Sequence, residues 1–260
     1  MIDWTAGLVR ALDSRETAFE MFFRDDNVGW ADDRLFTLLD IFAAHECPID
    51  LAAIPAAISD KLAALLIGRK KSGEDIGIHQ HGFMHRNNEP AGCACEFGPA
   101  RPAAAQGRDI GEGRRALLGM FGHYLDPIFT PPWNRCTQVT GRVLVDLGIA
   151  TLSRDLTAGL LNIDGLAERP IHIDWLAKAK GRRIPFADVS SVIARRITDG
   201  AGPVGIMLHH AEMCDDDFEA CAALVRTVAG HPNVRLVPMR SAVPRHEADR
   251  DWRELVNWSA

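Results

Sequence analysis

The run Ala18-Phe19-Glu20-Met21-Phe22-Phe23-Arg24-Asp25-Asp26-Asn27 decides how the rest of the chain is read. Its apolar part is dense in aromatic residues that suit a buried strand, and two acids follow with only Arg24 between. Directly after it, Leu35, Leu38, Leu39 and Phe42 recur at helical spacing over 32–44. A strand feeding a helix in this way is the first half of a βα unit, and the pattern repeats downstream. Strands are expected at 49–54, 75–79, 127–133, 150–154, 160–163, 170–175, 204–209 and 234–238. Helices are expected at 60–70, where Asp60 caps the start, and at 110–124, 139–147, 189–197 and 218–228, with a leading helix at 4–12. Strands alternating with helices predict an α/β fold with a parallel sheet, either a barrel or an open doubly wound sheet. Residues 87–105 form a long connection rich in Pro, Gly and Ala, and a loop of that length is usually functional.

Composition narrows the function. Of 260 residues, 47% are apolar and 25% charged, and the net charge of −6 leaves no broad basic face for phosphates. The length suits a single α/β domain over 1–260, without excluding two small ones, with 1–17 as its leading helical segment and 240–260 as a C-terminal extension. No apolar run is long enough to span a bilayer. The N-terminus has no basic region followed by an apolar stretch, so a cytoplasmic protein with reduced thiols is expected. The six cysteines, Cys47, Cys93, Cys95, Cys136, Cys214 and Cys221, fit no zinc-ribbon spacing. They read as small apolar fillers, with metal binding at Cys93 and Cys95 as the lesser alternative. No Gly-rich phosphate loop follows the first strand, which leaves nucleotide-binding versions of the fold unsupported.

Several expected strands end in residues that bind metals or move protons. The first ends in Asp25 and Asp26, the third in His79, Gln80 and His81 with His85 four residues on, and the fourth in Pro131-Pro132-Trp133-Asn134-Arg135. The strand at 204–209 ends in His209 and His210. In a parallel barrel these ends meet on one face. Carboxylates and imidazoles gathered there suit a divalent metal with an open position. Each group also has a plain structural reading. Adjacent acids serve turns and caps, His79 reads best as a buried hydrogen-bonded imidazole, and His172 and Asp174 suit a surface strand as well as a site.

Taken in order, these motifs resemble the polysaccharide deacetylases, metal-dependent enzymes built on a distorted (β/α) barrel, and the resemblance implies such a barrel of about seven parallel strands here. Phe23-Arg24-Asp25-Asp26-Asn27 is similar to their strand ending in two acids. His81-Gly82-Phe83-Met84-His85 is similar to their paired-histidine motif, with Gly82 in place of a hydroxyl residue. Thr130-Pro131-Pro132-Trp133 keeps the Pro-aromatic end of a third motif but has Thr130 where the family has arginine. Met207-Leu208-His209 matches the last motif, and Asp155 and Asp174 are the candidates for the fourth.

The resemblance implies that Asp26, His81 and His85 hold a divalent metal, zinc first. It implies Asp25 as general base and His209 as general acid, with Trp133, Pro132 and Arg135 lining the substrate and oxyanion side. Arg135 or Arg101 would replace the missing arginine. The activity implied is removal of an acyl group, most simply acetyl, from an N-acylated sugar or related amide. The partner is then a small-molecule or oligosaccharide substrate, with no nucleic acid and no membrane. A carbohydrate-binding protein without turnover, and a hydrolase of another, cyclic, C–N bond, stay open as alternatives.

Overall fold

A computed structural model describes residues 4–199 and 202–242. The C-terminal extension from 243 onward lies outside them. After α1 (Ala6–Asp13) the chain runs β1 (Phe19–Val28), α2 (Asp32–Ala43), β2 (Ile49–Ala53), α3 (Asp60–Lys71) and β3 (Ile76–His81). It continues through α4 (Ala103–Phe121), β4 (Leu125–Thr130), α5 (Gln138–Asp146), β5 (Thr151–Leu152), β6 (Ala167–Glu168) and β7 (Ile173–Asp174). A small antiparallel hairpin of β8 (Lys178–Ala179) and β9 (Arg182–Arg183) leads to α6 (Phe186–Thr198), β10 (Val204–Leu208), α7 (Asp215–Ala229) and β11 (Val234–Leu236).

The sheet order is β6-β5-β4-β3-β2-β1-β10-β7, with β11 paired to the start of β1, and every pairing in it is parallel. The wall closes where the path from β6 to β7 changes neighbours. Its first residues pair with β5, Ile171 bridges Asp155, and Ile173 and Asp174 then pair with β10. This is the distorted (β/α) barrel, with eight strands in the path rather than about seven, because three of them are only two residues long.

Strand alternation sorts the core into two layers. Met21 and Phe23 of β1 face the helices, where they pack with Leu35, Leu38 and Phe42 of α2 and with Leu224 of α7. Phe22 packs in a separate small cluster with Ile128, Ile171, Met207 and Met239 inside the barrel. Several expectations shift, and the helix expected at 110–124 starts earlier, at Ala103, and ends at Phe121. The start of α3 is capped by Ser59, whose Oγ accepts the Leu62 N–H, and not by Asp60. Residues 160–163 form no strand, because the Glu168 carboxylate takes the N–H groups of Leu161 and Asn162 that a ladder would need.

Low in the barrel, Asp50 is fully buried. Gly77 of β3 makes room for it, since a Cβ there would lie 2.0 Å from Asp50 Oδ1. Asp50 Oδ2 accepts the Met239 N–H at 2.7 Å, while Oδ1 has no partner. Burial, with the nearby Asp126 carboxyl, pushes Asp50 up to about 7, and burial pushes Asp126 up to about 6. A carboxyl raised in the folded state contributes stability below its unfolded pKa and loses it as pH rises through the folded value. Asp50→Asn therefore melts higher than the wild type by about 4 °C or more near pH 8, at ~2–4 °C per kcal/mol. Near pH 4 the two melt alike. Thermal denaturation at the two pH values checks this.

Candidate functional site

The upper ends of β1, β3, β4 and β10 carry the residues of the site. In β1 the interior face continues from Phe22 to Arg24 and Asp26. Arg24, fully buried, meets Asp26 in a two-pronged ion pair: Nε donates to Oδ1 at 2.8 Å and Nη2 to Oδ2 at 2.9 Å. Its remaining donors reach Ser153 Oγ and Asn134 Oδ1, each at 2.8 Å. Burial alone would raise Asp26, but Arg24, with the imidazoles of His81 and His209, outweighs it and holds the carboxyl at about 2. Asp26 is thus an oriented anion over the whole working pH range. The guanidinium beside Asp26 thus comes from β1 itself and not from β4. Arg101 pairs with Asp109, and Arg135 is exposed and donates to the Ala94 carbonyl, so neither takes that place.

Asp25 does not join this cluster. It faces the helix layer with Phe23, where its carboxylate accepts His210 Nδ1–H at 2.6 Å and the His210 backbone N–H at 3.0 Å. His210 Nε2 donates to the Trp30 carbonyl at 2.7 Å. Both ring nitrogens meet acceptors, so His210 is an imidazolium. Burial opposes that charge, but Asp25 and the Trp30 carbonyl raise its pKa. The base role expected for Asp25 therefore meets a geometric obstacle: both oxygens are committed to His210 on the far side of the sheet.

Asn27 comes back to the interior. The β1–β2 register shifts between Asp25 and Val28, and Asn27 takes a left-handed φ of 72°. A bulge of this kind re-aims a side chain, and Asn27 Oδ1 lies 3.2 Å from His81 Nε2. His81 Nδ1 donates to the Thr130 carbonyl at 3.0 Å, which leaves Nε2 as a lone pair. Burial holds His81 down to about 4, so the ring is neutral. Two acceptors, an imidazole nitrogen and an amide oxygen, thus face each other. His85 lies beside them, its ring centroid 5.2 Å from that of His81, and burial lowers its pKa also.

His209 faces the interior from the end of β10. Its Nε2 is 4.0 Å from Asp26 Oδ2 and its Nδ1 is 4.0 Å from Asp174 Oδ1. Of the two acids considered for the fourth motif, Asp174 is the one beside His209; Asp155 instead caps the turn at Thr157. His79 is buried, with Nε2 2.9 Å from Thr130 Oγ1. The Trp133 indole lies 4.5 Å from the His85 ring, tilted by 56°, and the Trp30 indole lies 4.8 Å from it, edge-on at 64°. Pro132 is buried under Gly82 and serves packing. Cys95 is buried with its thiol on the Arg135 carbonyl, and Cys93 is exposed.

Among the described residues, eight non-glycine positions have positive φ, and Asn27, Ala31, His85, Trp133 and Asn134 are five of them. Such backbone strain collects where a site over-determines it. Arg24, Asn27 and Glu96, the last taken up below, are polar members that sequence reasoning missed. Among the described residues no three His, Cys, Asp or Glu side chains are arranged to hold a metal. The donors that fit one are His81, His85 and the Asn27 amide oxygen, since a divalent cation relieves the facing acceptors.

No protein-family model matches the chain, and no curated protein matches it. Solved structures do. A Mycobacterium smegmatis protein assigned to the polysaccharide deacetylases matches with a TM-score of 0.66 at 14% identity, over 88% of this chain and 90% of that one. A family 4 acetyl xylan esterase from Clostridium thermocellum, solved with a cobalt ion, matches at 0.56 and 13%, over 86% and 93%. A Bacillus anthracis pseudoenzyme of the same esterase family matches at 0.57 and 10%, over 88% and 66%, and a mutant of it with restored enzymatic activity has the same likeness at 0.55 and 11%. At these identities the likeness establishes the fold.

Proposed function

From this shared fold, a divergent polysaccharide deacetylase-like domain, we propose that the protein is a metal-dependent hydrolase that removes an acyl group, most simply acetyl, from an N-acylated sugar or related amide. The observation that carries the reading is the Arg24–Asp26 ion pair facing His209, beside the pocket of facing acceptors at His81 and Asn27. His81, His85 and Asn27 would hold a divalent ion. When bound, it supplies Lewis acidity to the acyl carbonyl and to the attacking water.

The chain's own groups do the rest. Asp26, oriented by Arg24, accepts a proton from the water as its oxygen bonds to the acyl carbon. His209, flanked by Asp174, gives a proton to the amine nitrogen as the C–N bond breaks. The products are a carboxylate, acetate in the simplest case, and a free amine. Trp133 and Trp30 offer apolar walls beside His85.

A specific observation favours a second reading, a carbohydrate-binding protein without turnover. Asn27 makes the cation pocket neutral where a carboxylate would charge it. Titration with Co²⁺ or Zn²⁺, followed by acetate release from a panel of N-acetylated sugars and ring amides, separates the two. Hydrolysis predicts metal uptake at His81 and His85 and metal-dependent acetate release. Asp26→Asn then loses about 100- to 10,000-fold in turnover while keeping metal affinity. Metal uptake with no release from any amide supports the second reading. An Asn27 amide turned to donate to His81 would close the pocket, and absence of metal uptake would show it.

A further inference from the structure

Gly82 stands where the resembling motif has a hydroxyl residue, and the structure shows what occupies its space. A Cβ on Gly82 would fall 2.2 Å from Glu96 Oε2 and 2.6 Å from the Pro132 ring. Glu96 belongs to the long connection between β3 and α4, yet it is 1% exposed. Its Oε1 accepts the Met84 N–H at 2.8 Å and its Oε2 the Phe83 N–H at 3.1 Å. The N–H groups of His85 and Arg86 also face this carboxylate. Successive backbone N–H groups wrapped around one anion form a nest. The left-handed turns at Gly82, φ 56°, and His85, φ 54°, shape it.

Glu96 is itself fastened. Its carbonyl accepts Asn88 Nδ2–H at 2.9 Å, the neighbouring Cys95 N–H donates to Asn87 Oδ1 at 3.0 Å, and Phe97 bridges Cys136. Without an anion at this point, the Phe83 and Met84 N–H groups would lose their acceptor and the strained φ of His85 would have less to hold it.

We infer that Glu96 is a positioning residue for His85: its carboxylate, delivered by the long connection into the space left by Gly82, folds residues 82–86 so that the His85 imidazole stands beside His81. The part that concerns a metal rests on the function proposed above; the placement of His85 does not. An anion at this position is required rather than a neutral acceptor, because all its partners are donors and an amide NH₂ in its place would meet them head-on.

Glu96→Gln tests this, with Glu89→Gln as the control. Glu89 accepts the Ala100 N–H at 3.1 Å on the same connection but has no bond to residues 82–86. In metal-free protein, Glu96→Gln is expected to shift the His85 ring resonances and to speed amide exchange at residues 83–86 by about tenfold or more, the factor set by losing ~1.4 kcal/mol of local stability. Glu89→Gln is expected to leave both unchanged. In a Co²⁺ titration Glu96→Gln then binds at least about tenfold more weakly than wild type, and Glu89→Gln binds like wild type. Unchanged His85 resonances and amide exchange in Glu96→Gln overturn the inference, as does an equal change in Glu89→Gln. Should the wild type take up no Co²⁺, the metal reading fails alone, and the metal-free spectra still decide for or against Glu96.

Discussion

Arg24→Met is expected to lower stability by about 3–5 kcal/mol, the usual consequence of removing one partner from a buried ion pair. The side chains of Arg24 and Asp26 are 0% and 3% exposed, so water cannot replace the guanidinium. The sign of the pH dependence identifies the cause. In the wild type, Asp26 is held at about 2, below its unfolded value of ~3.9. The pair therefore contributes stability above about pH 4, and that contribution is lost as pH falls through about 2. In Arg24→Met the guanidinium no longer outweighs burial, which pushes Asp26 above its unfolded value, so the variant loses stability as pH rises. Denaturation followed across pH should show the gap between variant and wild type widening from about pH 4 to neutrality. A constant gap would mean that Arg24 contributes packing and not charge. Adding Asp26→Leu should recover much of the loss, since apolar pairs often replace buried ion pairs at little cost, while turnover stays absent.

Asn27→Asp is expected to raise affinity for Zn²⁺ or Co²⁺ by about tenfold or more, ~1.4 kcal/mol for each factor of ten. The amide oxygen lies 3.2 Å from His81 Nε2, and a carboxylate oxygen there adds a full negative charge in a buried pocket, where Coulomb attraction is poorly screened. The metal-free variant should be less stable than the wild type, because Asp26 is the adjacent residue and two buried anions repel. Added metal should reverse that order. Isothermal titration and melting with and without metal check both halves. If the second reading holds for the wild type, this variant is also where acetate release should first be measured. An affinity unchanged by the substitution would remove Asn27 from the donor set.

The fold was legible because its signals are local and repeated: Leu35, Leu38, Leu39 and Phe42 give the period of α2, and β1 and β10 are apolar runs that stop at polar residues. The failures were also local. The run at 160–163 reads as a strand by composition, but the Glu168 carboxylate competes for its N–H groups.

The site was legible as a set of strand ends and less so in its assignments. A strand places neighbours on opposite faces, so Asp25 and Asp26 cannot serve one pocket without a bulge between them. That rule, applied strictly, sends Asp25 outward with Phe23 and makes Arg24 the inward partner of Asp26 two residues on. The bulge at Asn27 has no comparable signature, because the left-handed turn is set by the tertiary path into Gly29 and Trp30. Glu96 was out of reach. Nothing in residues 87–105 says which side chain returns to residues 82–86, and only a close approach in space reveals it.

The closing seam of the barrel has a mechanical consequence. Asp26 stands on a ten-residue strand laced to three others. Asp174 ends a two-residue strand paired to β10 alone, reached after a single bridge from Ile171 to Asp155. The wall is therefore stiff under one carboxylate beside His209 and compliant under the other. Thermal motion that changes the width of the cleft is expected to be larger on the Asp174 side. The anion gripped by Arg24 keeps its aim.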